Sequence, residues 1–137
     1  MKLFEKQVRE APLGDPFDAD TFQGPQIDEG QRKTILGYIE SGKKEGANLA
    51  IGGKAWRHPK TGKGFFVEPT VFTGVTDNMK ICREEIFGPV ASVLTFSDED
   101  EVVRRANDTT YGLGAAIFTR DLGRAHRVAK SIQSGSE

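Results

Sequence analysis

Glu84-Glu85-Ile86-Phe87-Gly88-Pro89-Val90 holds the side chains of this sequence best suited to grip a ligand. Pro89 fixes its own φ and pushes Gly88 out of the α region, so any helix must end before it. Gly88 permits backbone shapes that a side chain forbids. The expected product is a short, stiff loop at the mouth of a strand, with a carboxylate at 85 and an aromatic ring at 87. A carboxylate accepts two hydrogen bonds side by side, which matches the vicinal hydroxyls of a ribose. A phenyl ring offers a flat apolar face to a heterocycle or a sugar. Together Glu85 and Phe87 suit a nucleoside, and strand-end loops are where α/β sheets place ligands. A plainer reading gives the same residues a helix-end salt bridge and a seat in the core.

Other candidates carry less. Cys82 is the single thiol, and the cations at Lys80 and Arg83 favour a thiolate, but no histidine base lies nearby in sequence. It reads as a small buried packing residue. His58 has no second His, Cys or close acidic cluster beside it, so it reads as a solvated loop histidine and no metal site is expected. Gly112-Leu113-Gly114 does not open a helix after a strand, as a dinucleotide fingerprint requires. A tight turn into a closely packed strand explains these glycines instead.

The elements that must position Glu85 follow from periodicity. Leu3 to Glu10 reads as a short helix ended by Pro12, Gly14 and Pro16, and Asp15 to Pro25 as an extended polar loop. Asp28 is a natural N-cap for a long helix with Ile35, Leu36 and Ile39 on its apolar stripe and Gly46 at its stop. Asn48 to Ile51 is a strand, and the basic stretch from Lys54 to Gly64 is a hairpin or loop. Phe65 to Val67 and Thr70 to Val75 are β-rich, with Pro69 marking a bend or an edge. Asn78 to Ile86 is expected to make about two helical turns that deliver Glu85 and Phe87 to the loop.

Val90 to Phe96 is a nearly continuous apolar run, suited to a strand buried on both faces. Ser97 and Asp98 cap a helix from Glu99 to Asn107 with Val102, Val103 and Ala106 inward. Leu113 to Thr119 is expected as a second buried strand. Asp121 caps a last helix, with Leu122, Ala125, Val128, Ala129 and Ile132 on its apolar stripe. Strand, helix, strand, helix at this spacing predicts a parallel βαβα core in an α/β fold.

Length and composition set the outer limits. The 137 residues leave room for one domain, and 36% hydrophobic content with nine Phe and one Trp can form a core. Nineteen Lys and Arg against twenty Asp and Glu leave a net charge of -1, which favours neither nucleic acid nor an anionic membrane. No apolar run approaches the ~20 residues that span a bilayer. The charged start Met1-Lys2-Leu3-Phe4-Glu5 has no signal-like stretch, and one cysteine makes no internal disulfide. A cytoplasmic protein is the expectation.

Met79-Lys80-Ile81-Cys82-Arg83 running into Glu84–Val90 resembles the EEIFGPV segment of the aldehyde dehydrogenase superfamily. The resemblance extends in order through Gly24-Pro25-Gln26-Ile27-Asp28, Ile35-Leu36-Gly37-Tyr38-Ile39, Gly42–Ala47 and Gly52-Gly53. It continues through Glu68–Phe72, Tyr111-Gly112-Leu113 and Ala115–Thr119. Its words are closest to the broad group that oxidises simple and retinal-type aldehydes.

The resemblance implies that residues 1–137 are a single partial domain, a slice of the catalytic domain. That slice begins after the nucleophile and ends at Ser134-Gly135-Ser136-Glu137, where the family continues into a strand. The implied core is the parallel βαβα unit with an added hairpin or edge strands. By resemblance Glu85 binds the nicotinamide ribose, Phe87 lies beside the same ribose and ring, and Gln31 comes near that ribose. Relatives carry a lysine one turn beyond Gln31, where this chain has Thr34. The implied cofactor is NAD or NADP, with NAD favoured.

The family reaction oxidises aldehydes to carboxylic acids through a cysteine thiolate, an oxyanion hole, hydride transfer to the cofactor and a glutamate-activated water. None of those catalytic groups maps onto this sequence, and the position of Cys82 is usually a small residue in relatives. The chain alone is therefore expected to be inactive. The implied partners are an aldehyde in the full enzyme, and further copies of the chain or full-length subunits. The alternative is a non-catalytic remnant or interaction module docking onto full-length subunits.

Overall fold

The computed structural model describes residues 1–135. Ser136 and Glu137, at the end where a continuing strand is expected, lie outside the described residues. The chain divides into two compact units, one over Met1–Leu94 and the other from Thr95 onward.

The first unit is built on one long helix. After α1 (Lys2–Glu10), α2 (Glu29–Lys44) starts where Asp28, in extended backbone, accepts the Gln31 N–H at 2.7 Å. That cap and Glu29 in the first turn satisfy and complement the positive helix start. The stop is equally determined. Gly46 takes φ 94°, the Ala47 N–H reaches the Gly42 carbonyl at 3.0 Å, and the Gly46 N–H reaches Lys43 at 3.2 Å. This is the paired closure of a left-handed C-terminal turn, which a side chain at 46 would strain.

Five short strands follow or flank it: β1 (Asn48–Ile51), β2 (Ala55–Trp56), β3 (Phe66–Val67), β4 (Thr70–Thr73) and β5 (Val90–Ser92). β1 and β4 pair antiparallel, and β4 and β5 pair parallel with Thr70 opposite Val90 and Phe72 opposite Ser92. β2 and β3 close the basic stretch as a two-stranded hairpin, where Trp56 meets Phe66 edge-on at 4.8 Å. The core lies between α2 and this sheet, with Ile35, Ile39, Val67 and Phe72 fully buried. Among the described residues Thr70 is the buried polar one, and it is satisfied: its hydroxyl donates to the Glu68 carbonyl at 2.8 Å and accepts from the Gly53 N–H at 3.0 Å.

The second unit pairs α4 (Glu99–Asn107) with α5 (Leu122–Ser131). Asp98 and Asp121 accept the Glu101 and Arg124 N–H groups at 2.8 and 3.0 Å, as their capping role predicts. Glu99 joins the helices through Arg127 at 2.9 Å and Arg124 at 3.2 Å. Asn107 adds a second link, donating to the Ser131 carbonyl at 2.8 Å and accepting the Gln133 N–H at 2.8 Å.

The α/β class and a parallel strand pair are present, but the expected partners differ. The parallel pair is β4 with β5 rather than Val90–Phe96 with Leu113–Thr119. β5 ends at Ser92 and is half-buried, because among the described residues it has a ladder partner only in β4. Residues 113–119 form no strand, and Leu113 and Phe118 are 90% and 95% exposed. Their apolar run has no neighbouring strand to complete its hydrogen bonds. The glycines at 112 and 114 therefore do not lead into a buried strand. α3 (Lys80–Arg83) is one turn, not two, since Glu84 is already extended at φ -113° and ψ 146°. Leu122 and Ala106, expected inward, are exposed.

Two glycines of α2 separate packing from propensity. A Cβ at Gly37 meets nothing within 4 Å, whereas one at Gly42 would stand 2.8 Å from Ile81 Cδ1 and 3.3 Å from the Phe72 ring. Gly37→Ala should stabilise the chain by about 0.5–1 kcal/mol through helix propensity. Gly42→Ala should destabilise it by about 1–3 kcal/mol through overpacking. Urea unfolding of both variants checks the pair, and shifts of the same sign would contradict this packing.

Candidate functional site

The loop from Glu84 to Pro89 lies along one face of α2. Gln31, Ile35 and Tyr38 stand at i, i+4 and i+7 on that helix and so share a face. Each takes hold of the loop. The Gln31 amide donates to the Phe87 carbonyl at 2.8 Å, and the Tyr38 hydroxyl donates to Glu84 Oε2 at 2.7 Å. Between them Ile35 is pressed against Gly88, where an added Cβ would stand 2.5 Å from Ile35 Cδ1 and 2.7 Å from Cγ1. Glycine is needed at 88 for space: its φ is not in the left-handed region.

The loop backbone is tight in its own right. The Gly88 N–H bonds to the Ile86 carbonyl at 2.7 Å, and the Val90 N–H bonds to the Gly88 carbonyl at 2.8 Å. These are two successive three-residue turns, the second centred on Pro89, whose fixed φ suits the inverse γ form.

Of the two adjacent glutamates, Glu84 is committed. Besides Tyr38 it has the Lys80 ammonium at 3.7 Å, and that ammonium lies 4.9 Å from the centroid of the Tyr38 ring. Glu85 is exposed and, among the described residues, has no hydrogen-bond or ion-pair partner. Phe87 is 71% exposed, so its ring face is open rather than part of the core. The structure thus leaves one carboxylate and one aromatic face outward on a fastened loop. Both have the chemistry a ribose and a heterocycle require, a double acceptor and a flat apolar surface.

The three residues singled out from sequence are brought together in part. Gln31 and Phe87 meet through the Phe87 backbone, while Glu85 sits between the two fastening points. Thr34, in the place of a lysine, turns its hydroxyl back to the Gly30 carbonyl at 3.1 Å and takes no part. Tyr38 and Glu84 are the residues sequence reasoning missed. Cys82 is half-buried and packs against the core cluster. His58 sits in the hairpin turn, where its Nδ1 accepts the Lys60 and Thr61 N–H groups at 3.2 and 3.3 Å. Among the described residues no group of His, Cys, Asp and Glu could hold a metal ion. No helix there is long and apolar enough to cross a membrane.

α3, which feeds the loop, is tied to α2 by Glu45. This residue closes α2, and its carboxylate accepts the Ser41 hydroxyl and the Lys80 N–H, both at 2.6 Å. It therefore caps the start of α3, where Met79 has no side chain to do so.

The pattern described as "Aldehyde dehydrogenase family" matches residues 1–136. A protein of Brucella anthropi named betaine aldehyde dehydrogenase is 54% identical over 131 residues, covering 96% of this chain and 27% of its own. A point mutant of the betaine aldehyde dehydrogenase of Staphylococcus aureus, solved with NAD+, superposes with a TM-score of 0.95 at 41% identity, over 98% of this chain and 28% of that one. The NAD+ complex of an aldehyde dehydrogenase from Bacillus cereus gives a TM-score of 0.92 at 43% identity, over 98% and 27%. The chain belongs to the aldehyde dehydrogenase family. It spans about a quarter of the length of the relatives it matches.

The Ser41 hydroxyl, then the Lys80 N–H, hold the Glu45 carboxyl below its ordinary value of 4.5. Because the folded value is depressed, the stability Glu45 contributes is complete above about pH 4.5 and fades as pH falls through the lower folded value. Glu45→Ala should therefore flatten part of the acid loss seen in thermal melts between pH 5 and pH 3, taken as a rough window. An unchanged acid slope in Glu45→Ala would show that the carboxylate does not join α3 to α2.

Proposed function

We propose that this chain is part of an NAD-dependent aldehyde dehydrogenase and supplies the wall of its site that holds the nicotinamide ribose. The observation that carries this reading is Glu85, an exposed carboxylate without a protein partner among the described residues, on a loop fastened on both sides of it. The donor set fits the cofactor. Glu85 offers two acceptor oxygens for the ribose hydroxyls, and Phe87 offers an apolar face beside them. Gln31 supports them by holding the Phe87 carbonyl. Bound NAD supplies the hydride acceptor. The work of this chain is orientation, because hydride transfer depends steeply on the placement of the reacting carbon.

The nucleophile, oxyanion donors and general base belong, on this reading, to the rest of the enzyme, and the 137 residues form one partial catalytic domain. NAD is favoured over NADP because the named neighbours were solved with NAD+. The substrate is an aldehyde, and the similarity to betaine aldehyde dehydrogenases points to a small cationic one in place of the simple and retinal-type aldehydes the motifs suggest. A cytoplasmic setting without nucleic acid or membrane partners belongs to the same proposal. The exposed Leu113, Phe118 and Leu122 then call for cover from the remaining three quarters of the enzyme. A module docking onto full-length subunits would need the same residues covered, and no observation favours it over the first reading.

In the full-length enzyme that carries this chain, Glu85→Gln keeps the shape and weakens charge-assisted hydrogen bonds. Such bonds are worth about 1.5–3 kcal/mol when fully made, and solvent at this exposed loop should leave about 1 kcal/mol, or roughly fivefold in NAD+ affinity. The hydride step should slow as well, seen as a larger effect of deuterium on the aldehyde carbon. NAD+ affinity and isotope effect both equal to wild type would remove the assignment.

A further inference from the structure

We propose that Tyr38 is a positioning residue for Glu85, acting through Glu84, with Gln31 as its counterpart at the other end of the loop. The proposal rests on the reading of Glu85 as the ribose acceptor. The two fastening points lie two turns apart on α2, roughly 10 Å along its axis. Tyr38 holds the side chain immediately before Glu85, at 2.7 Å, and Gln31 holds the backbone two residues after it, at 2.8 Å. Neither hydrogen bond touches Glu85, and no other described group does.

A carboxylate without partners of its own depends on its backbone for its position. Free rotation at Glu84 would swing it, since a change of ψ there turns everything beyond. Glu84 stays in place because two contacts converge on it, the Tyr38 hydroxyl and the Lys80 ammonium at 3.7 Å, and these two partners brace each other, the Lys80 charge resting over the Tyr38 ring at 4.9 Å. Tyr38 is the member common to the hydrogen bond and the ring contact. Lys80 is in turn set by Glu45 at its N–H. The aromatic body of Tyr38 packs against the core cluster while its hydroxyl reaches the loop, so the anchor is itself held. The hydroxyl thus spares the ribose the entropy of ordering the loop on binding.

The test uses the full-length enzyme carrying this chain, with NAD+ binding followed by fluorescence titration and folding followed by thermal melts. Tyr38→Phe keeps the ring and the lysine contact and removes the hydroxyl alone. It should raise the NAD+ dissociation constant about two- to fivefold, no more than Glu85→Gln does, with little change in melting temperature. Because Tyr38 acts through Glu85, Tyr38→Phe added to Glu85→Gln should cost almost nothing more. Glu84→Gln keeps a carbonyl acceptor for the hydroxyl and should bind NAD+ nearly as wild type, whereas Glu84→Ala should match Tyr38→Phe. Should Tyr38→Phe fail to fold, Glu84→Ala and Gln31→Met address the same two anchors.

Wild-type NAD+ affinity in Tyr38→Phe, alongside weakened binding in Glu85→Gln, would overturn the positioning role and leave Glu85 in its place. Full additivity of the two substitutions would also overturn it, since Tyr38 would then act elsewhere. Wild-type affinity in Glu85→Gln would remove the ribose assignment and the positioning role with it.

Discussion

The close approach of Gly88 to Ile35 is the contact on which the site depends. Ile35 is fully buried, part of the cluster that includes Ile39, Phe72 and Ile81, and the loop is laid directly on it. A methyl group at 88 would need the space of three Ile35 side-chain carbons, the nearest at 2.5 Å. No rotamer change gives that room cheaply in a filled core. The hydrogen bonds from Gln31 and Tyr38 can form only because the backbone comes this near. Packing sets the distance, and the polar contacts set the register.

Relative magnitudes support that ordering. Exposed hydrogen bonds and ion pairs such as Lys80–Glu84 are each worth on the order of 1 kcal/mol or less in water. Burial of an isoleucine is worth about 1.5–3 kcal/mol, and forcing a substituent into its place costs a similar amount. α2 therefore serves as the reference for both ends of the segment that carries Glu85. Its middle presses on Gly88, and the residue that caps its end, Glu45, fixes the start of α3 at Lys80.

Local patterns made α2 legible in advance: an aspartate cap, an apolar stripe at helical spacing and a glycine stop. The same held for α4 and α5, whose caps Asp98 and Asp121 accept as their type predicts. The tight loop was legible from Gly88-Pro89. What stayed hidden were contacts made across the chain. Tyr38 and Glu84 are 46 residues apart, and Gln31 and Phe87 are 56 apart, so no periodicity joins them. The strand readings failed for a related reason. An apolar run such as Leu113–Thr119 states that cover is required, yet nothing in it says which segment provides the ladder. Where the described chain has no such segment, the run forms no strand.

The pair Glu84-Glu85 shows how neighbouring identical residues acquire different work. Residue 84 is extended, with φ -113° and ψ 146°, and in extended backbone successive side chains leave on opposite sides. If one of the two glutamates faces α2, the other must face away from it. Glu84 meets a hydroxyl and an ammonium there, so its acceptor capacity is largely spent inside the protein. Glu85, turned outward, keeps both oxygens for a ligand. Composition gives the two residues the same chemistry, and one backbone conformation divides it into an anchor and a free acceptor. A shift of one residue in the register of α3 would exchange the roles. The Lys80 N–H bond to Glu45 is what fixes that register, so the choice of which glutamate can receive a ribose is made five residues upstream of it.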